Sequence, residues 1–371
     1  MANIGPKAFI HLDRIKSNFE NIQKRVGDRI ILSVVKANGY GHGAIEIAKV
    51  ISHFKNSKFA VFSFDEAMQL RNSDISNDII IFSKMQPQFI DQAFKHNIIL
   101  NLSSIEDIKI LKNYKSETNN CPRYHIKFDT GMTRLGIDIK DSELLYKKII
   151  SDLAIHPEGI YTHFATADEG DLRYAHIQLE KFKGAVELAE KYNIQFKYVH
   201  SSNSGAVLNI RESYFNMIRV GMLLYGALPS NEVPNDIDIK PVMSFCGSIV
   251  NLRRVPKGTH VSYGAIYTTK KNTNIGVIQT GFADGFPRPW YELGFVNYNG
   301  REYKIAGRVC MDQLMVDFGD TIPKIGDDVL FFGKNSNGHI PIETIADSIK
   351  STPYVLLTAI GGRTEHIYID N

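Results

Sequence analysis

Two kinds of patterning alternate along roughly the first 220 residues. Short β-branched runs read as strands: KAFIHL, IILSVVK, KFAVFS, DIIIFS, NIILNL, RYHIKFD, EGIYTHF, FKYVHS and FNMIRVG. Between most of them the apolar residues fall three and four apart, as in residues 13–25, DEAMQLRN, SSIEDIKILKNY and RYAHIQLEKFKGAVELAEKY, which predicts amphipathic helices. Eight such β/α passes fit a (β/α)₈ TIM-type barrel over 11–227.

Past Ala227 the texture changes. A loop-like SNEVPNDIDIKP leads into short runs punctuated by Gly, Pro and Asn, including SFCGSIVNLRRVPKGTHVSYG and KIAGRVCMDQLMVDFG. This predicts a second, mostly β domain over 228–371, joined by an N-terminal strand over 1–10. The fold class expected is therefore α/β, a barrel with a β appendage, and 371 residues suit two such units.

Charge narrows the partners. Forty-three basic and 40 acidic side chains leave a formal net charge of +3, and no Lys/Arg block marks a nucleic-acid groove. A small-molecule substrate is the expected partner. Three widely spaced cysteines, Cys121, Cys246 and Cys310, argue against a disulfide framework or a zinc cluster and for a reducing compartment, so cytoplasm is expected and no metal. No apolar run approaches the ~20 residues that span a bilayer, and MANIGPKAFI lacks the pattern of a secretory signal, so no membrane is expected.

In barrels the working side chains stand at the C-terminal ends of the strands. There this chain carries Lys36, then Lys127 and Asp129 with Arg134 beyond, His163, His200 with Asn203 and Ser204, and Arg219 with Gly221. Five strands deliver chemistry to one mouth. A partly desolvated lysine has a lowered pKa and can form a Schiff base, the chemistry that SVVKANGYGHG offers at Lys36; a lone lysine would more simply snorkel to solvent. Neither a G-x-G-x-x-G nor a G-x-x-x-x-G-K-[ST] fingerprint is present. A phosphate can instead be held where Asn203-Ser204-Gly205 opens a helix and at Gly221, although NSG alone is often only an N-cap. In RYHIKFD the pleat puts Lys127 on one face with His125 and Asp129, beside the place Arg134 must occupy; an ion pair from Lys127 to Asp129 is one reading.

The segments VVKANGYGHG, FDTGMTRLG, HFATADE, HSSNSGAV, IRVGMLLYG, VSYG, GFADGFPR and GRVCMDQ occur in this order between residues 34 and 313. With them the chain resembles, over essentially its whole length, the alanine racemases, pyridoxal 5'-phosphate (PLP) enzymes with an α/β barrel and a C-terminal β domain. The resemblance implies that Lys36 carries PLP and that Tyr40, Ser204, Gly221 and Tyr354 contact its phosphate. It places Arg219 at the pyridine nitrogen with His200 behind it, His163 against the ring, Arg134 and the backbone N–H of Met311 at the substrate carboxylate, and Asp312 in support. For Lys127 it implies carbamylation by CO₂, which turns a cation into an anion able to orient Arg134.

The implied roles make chemical sense. Arginine keeps its proton, so it leaves the pyridine nitrogen unprotonated and weakens the ring as an electron sink, which shortens the carbanion's life and limits side reactions. Racemisation takes the α-proton from one face and returns one to the other, most simply with two bases. The resemblance makes these Lys36 and Tyr263 of VSYG, with Tyr263 and Met311 given by the partner subunit of a homodimer. A tyrosine has an ordinary pKa near 10 and needs favourable neighbours to act as a base, which a relay through His163 to Arg219 can provide.

The implied activity is interconversion of L- and D-alanine, supplying D-alanine for peptidoglycan, with a serine or broad-specificity racemase and a non-catalytic PLP-binding homeostasis protein as the rival readings. VSYG and GRVCMDQ argue against a carrier, which would need neither. Three departures from the family pattern stand out: Phe282 in GFADGF in place of a tyrosine, Pro353 before Tyr354, and the closing GGRTEHIYI. Cys310, Trp290 and His42 keep structural readings.

Overall fold

The computed structural model describes residues 4–153 and 157–370, so Met1 to Asn3 of the expected N-terminal strand lie outside the described residues. The first strand, β1 (Pro6–His11), runs straight into a helix, Leu12–Val26, whose Ile15, Phe19, Ile22 and Val26 are buried at the three-and-four spacing read from the sequence.

The barrel strands follow: β2 (Ile30–Val34), β3 (Ser57–Val61), β4 (Ile79–Ile81), β5 (Ile98–Leu102), β6 (Tyr124–Asp129), the two-residue β7 (Ile137–Asp138), β8 (Gly159–Tyr161), β9 (Tyr198–His200) and β10 (Met217–Val220). Eight of them form one parallel sheet in the order β10-β2-β3-β4-β5-β6-β8-β9, with β7 set against β6. The seam between β9 and β10 is stitched by other means. The Arg219 N–H donates to Ser202 O at 3.0 Å, and the Asn216 side chain accepts from Val199 N at 2.8 Å and donates to Lys197 O at 2.8 Å. Strands made of Ile, Leu and Val are buried on both faces, as a parallel barrel under helices requires. The longest of those helices, Arg173–Lys191, buries Ala175, Leu179, Phe182 and Ala185 against it.

The second body is a nine-stranded, largely antiparallel sheet built on the long β11 (Met243–Val255). β1 lies within it, antiparallel to β11 on one side and parallel to the C-terminal strand Glu365–Ile369 on the other. The chain's first strand thus belongs to the β sheet, and the next helix opens the barrel. A helix, Pro353–Thr358, and the C-terminal strand bring this body back over the barrel mouth. Among the described residues no helix is long and apolar enough to cross a membrane.

Candidate active site

Ten of the residues singled out from the sequence line one cavity of about 600 Å³ at the C-terminal end of the barrel: Lys36, Tyr40, Lys127, Arg134, His163, Asn203, Ser204, Arg219, Gly221 and Tyr354. They come from the ends of five barrel strands, β2, β6, β8, β9 and β10, and from one helix of the second body. The volume suits a small organic cofactor together with a small substrate.

Lys36 stands two residues past the end of β2 and opens a turn of left-handed backbone. Ala37, Asn38 and Gly39 sit at φ 51°, 52° and 64°, and Tyr40 also has φ 52°. For residues with a Cβ such a conformation costs ~1–2 kcal/mol each, so the surroundings must hold it. The Glu66 carboxylate accepts from the N–H groups of Ala37 (2.7 Å), Phe62 (2.7 Å) and Ser63 (3.1 Å). His42, fully buried, has Nδ1 3.1 and 2.9 Å from the carbonyls of Gly39 and Tyr40 and stacks on Tyr225. The structural reading of His42 agrees with this. From the second body, His366 Nε2 contacts Gly41 O at 2.7 Å, and a Cβ on Gly41 would strike Leu357 O at 2.3 Å. Burial, then Arg134, lowers the pKa of Lys36, with Glu66 opposing.

Hydroxyls and an N–H gather at one end of the cavity. The rings of Tyr40 and Tyr354 lie 5.8 Å apart, the Gly221 N–H donates to Ser204 Oγ at 3.2 Å, and Asn203 caps the helix Ser204–Asn209 by accepting from Ala206 N at 3.0 Å. A Cβ on Gly221 would sit 2.7 Å from the Tyr40 hydroxyl, so glycine keeps this cradle open. Pro353 costs Tyr354 nothing: it is the first residue of its helix, where the missing N–H has no partner within the helix. The donor set fits a phosphate.

Arg219 is 3% exposed and is held from behind. Nη2 donates to Thr162 O (2.7 Å) and Ser201 O (2.9 Å) and lies 3.3 Å from His163 Nδ1; Nη1 donates to His200 O (3.0 Å) and lies 3.2 Å from His200 Nδ1. Burial, then Arg219, pushes His163 well below the usual imidazole range, so it is neutral. Tyr161, which sequence reasoning passed over, stacks on His200 (4.8 Å, 7° between planes) and carries Arg219 and Lys127 over its ring at 5.5 and 5.7 Å. Its place two residues before His163 on the inward face of β8 was the available signal.

Lys127 does not pair with Asp129. The Asp129 carboxylate is taken up by the N–H groups of Gly131 (2.8 Å), Thr133 (3.1 Å) and Arg134 (3.0 Å), which fold the turn carrying Arg134. The ion-pair reading is therefore corrected: backbone donors outcompete the ammonium for that carboxylate. Burial and then Arg134 and Arg219 lower Lys127 to about 8. Lys36, Lys127, Arg134 and Arg219 share the cavity with no ion-pair partner among the described residues, and Asp168, its pKa raised by burial, is the acidic group in the lining. Such a cavity favours anions.

Tyr263, Met311 and Asp312 are not brought to this cavity. Tyr263 is 65% and Met311 57% exposed on the second body. Ser262, just before Tyr263, has φ 66° and ψ 179°, a strained conformation, and its Oγ donates to Arg308 O at 2.6 Å. Gly281 of GFADG lies so close to Cys310 and Met311 that a Cβ would meet the Met311 carbonyl at 2.2 Å, and the Phe282 and Ala283 N–H groups donate to the Cys310 and Met311 carbonyls. Arg363, from the divergent closing segment, bridges buried Asp284 (3.0 Å) and Asp312 (2.8 Å) and so ties the two motifs together.

The family model described as alanine racemase, N-terminal domain, matches residues 10–229, and the alanine racemase C-terminal domain matches 242–368. An alanine racemase of Halothermothrix orenii is 35% identical over 364 residues, covering 97% of this chain and 96% of that protein. Among solved structures, an alanine racemase of Clostridium difficile 630 superposes with a TM-score of 0.93 at 31% identity, covering 100% of this chain and 97% of that one. The enzyme from the D-cycloserine producer Streptomyces lavendulae gives 0.94 at 28%, covering 100% and 98%.

Proposed function

The chain belongs to the alanine racemase family, and from that membership we propose that it is a PLP-dependent isomerase interconverting L- and D-alanine by two-base proton transfer, supplying D-alanine for peptidoglycan from the cytoplasm. The observation that carries the reading is the single cavity in which an amine of lowered pKa, an arginine held against two neutral imidazoles and a cradle of hydroxyls converge.

The residues present fit PLP. Lys36 would hold it covalently, Tyr40, Ser204, Gly221 and Tyr354 its phosphate with Asn203 shaping the turn, Arg219 its pyridine nitrogen, and His163 one ring face. When bound, PLP supplies the electron sink that makes the α-proton of an amino acid acidic. The chain does the rest. Arg134 and the Met311 N–H hold the substrate carboxylate, which fixes the α-carbon between two bases. Lys36 Nζ, whose burial favours the neutral amine, takes or returns a proton on one face, and the phenol of Tyr263 does so on the other.

Tyr263 and Met311 are exposed and lie outside their own chain's cavity, which supports a homodimer in which each subunit completes the other's site. Asp312, anchored by Arg363, would steady that arm. Lys127, an amine of lowered pKa without a carboxylate partner, suits carbamylation, in which Nζ attacks CO₂, a proton leaves and an anion faces Arg134.

Incubation of the purified protein and PLP with L-alanine, and separately D-alanine, in deuterium oxide tests the proposal. Both enantiomers should acquire α-deuterium and converge on a racemic mixture; exchange with retention would refute the two-base assignment, and no exchange the activity itself.

A further inference from the structure

Behind Arg219 stands a buried two-histidine chain. His200 Nε2 lies 3.0 Å from Nδ1 of His125, and both rings are fully buried. Arginine only donates. Its Nη1, 3.2 Å from His200 Nδ1, therefore needs a lone pair there, which in a neutral ring puts the His200 proton on Nε2. That proton in turn needs a lone pair on His125 Nδ1, which puts the His125 proton on Nε2. The guanidinium thus dictates the tautomers of two rings in series, and a second proton on either ring would set N–H against N–H at one of the two contacts.

The surroundings are shaped for this pair. His125 is on β6 and His200 on β9, with β8 between, and the rings meet across Gly159, the register partner of both His125 and Tyr198. A Cβ on Gly159 would sit 2.6 Å from His125 Nδ1 and Cε1, so glycine makes the room. Tyr161 stacks on His200, and Tyr198 leans on His125 at 5.7 Å. His125 Nε2 has no hydrogen-bond partner among the described residues. The charged groups acting on His125 are Glu158, Arg123, Asp78 and Lys58, which neutralise one another in a chain of ion pairs: Arg123 binds Asp78 (2.6 Å) and Glu158 (2.7 Å), and Lys58 binds Asp78. Arg219 and His125 act on His200. Burial holds His125 down to about 3 and His200 well below the usual imidazole range, so neither ring gains a proton near neutrality.

We propose that His125 is a positioning residue of the racemase site: by accepting the Nε2 proton of His200 it locks His200 in the tautomer whose Nδ1 accepts from Arg219, and so fixes how the guanidinium is presented to the cavity. The role rests on Arg219 facing the pyridine nitrogen of PLP, as read above. The chain of hydrogen bonds does not.

The test is long-range ¹H–¹⁵N NMR of holoenzyme labelled at histidine, alongside kinetics. His125 and His200 should both be neutral Nε2–H tautomers, unchanged from pH 6 to 9. His125→Leu should lower kcat about ten- to a hundredfold, the range seen when partners behind metal-bound ligands are removed, with KM for alanine unchanged. His125→Gln, whose Oε1 accepts from His200, should recover most of the loss. Gly159→Ala, which displaces the ring without removing it, should behave like His125→Leu and keeps the test open if the leucine variant does not fold. A wild-type enzyme that racemises alanine with His200 protonated or in the Nδ1–H form overturns this proposal alone, as does a leucine variant with wild-type kcat and pH profile. A wild-type protein with the expected tautomers that cannot racemise alanine overturns the functional reading and, with it, the role of His125.

Discussion

Lys127 and Asp129 share one face of β6, two residues apart, and do not form an ion pair, because the carboxylate is committed to the Gly131, Thr133 and Arg134 N–H groups. The consequence is a buried amine among cations, lowered to about 8, with an appreciable neutral fraction near pH 8. Neutral amine is the form that attacks CO₂. Protein equilibrated with ¹³C-bicarbonate should show one carbamate resonance that is absent from Lys127→Ala, and that variant should bind alanine more weakly through a disordered Arg134. A wild-type spectrum without the resonance would leave Lys127 an unmodified amine.

The same lysine predicts a pH dependence of stability. In CO₂-free buffer the folded pKa of about 8 lies below the ordinary 10.5, so between these values the unfolded chain binds more protons and stability rises with pH. Below about 8 the penalty for burying the ammonium is fully present. Lys127→Met removes the titrating group, so its urea midpoint should rise less than that of the wild type between pH 8 and 10.5. Parallel curves for the two proteins would show that Lys127 is not held at a lowered pKa.

For Tyr263, substitution by phenylalanine should reduce racemisation by about 10²–10⁴-fold, the usual contribution of a positioned acid or base, while PLP remains on Lys36. Because Tyr263 is exposed and outside its own cavity, activity should also fall on dilution as dimers part. Mixing Tyr263→Phe with Lys36→Ala chains should restore activity to hybrid dimers, since one of the two sites then has both groups intact. Failure of the mixed dimers would mean that each chain supplies its own second base.

Glu66 was not singled out from the sequence, yet its carboxylate collects three N–H groups around the left-handed turn that begins at Ala37. Hydrogen bonds to a charged acceptor are the stronger kind, so Glu66→Ala should lower unfolding stability by about 2 kcal/mol. It should weaken PLP retention more than Glu66→Gln, which keeps one acceptor oxygen. Equal PLP affinity in all three proteins would show that the turn needs no such brace.

What the sequence made legible follows from what is local. The (β/α) alternation needs only residues within a few positions of each other, and the strand-end rule then gathers Lys36, Lys127, His163, Arg219 and Gly221 at one mouth. Pairing choices were less legible. Lys127 beside Asp129 reads as an ion pair because the competitors, three N–H groups of a turn, have no signature in side-chain pattern. Glu66, His125 and Arg363 act across elements far apart in the chain, bracing Ala37, His200 and Asp312, and their letters alone look like surface or core residues. Pro353 reads as a disruption until its place at the first turn of a helix is known.

Gly221 offers a prediction that separates shape from backbone freedom. Its φ is −119°, outside the left-handed region that favours glycine. The obstacle is steric: a Cβ would lie 2.7 Å from the Tyr40 hydroxyl and 3.0 Å from its ring. Tyr40 is packed against Tyr225 at 5.0 Å and Tyr354 at 5.8 Å, so the ring cannot simply step aside. Gly221→Ala should therefore fold yet bind PLP about tenfold or more weakly, the consequence of displacing a phosphate donor worth ~1.5 kcal/mol or more. In a Tyr40→Phe background, which lacks the hydroxyl the methyl would meet, the further loss should be smaller, a non-additivity expected of touching residues. PLP titration of the four proteins by absorbance measures it. If Gly221→Ala costs the same with and without the Tyr40 hydroxyl, contact between residues 40 and 221 is not what keeps glycine at this position.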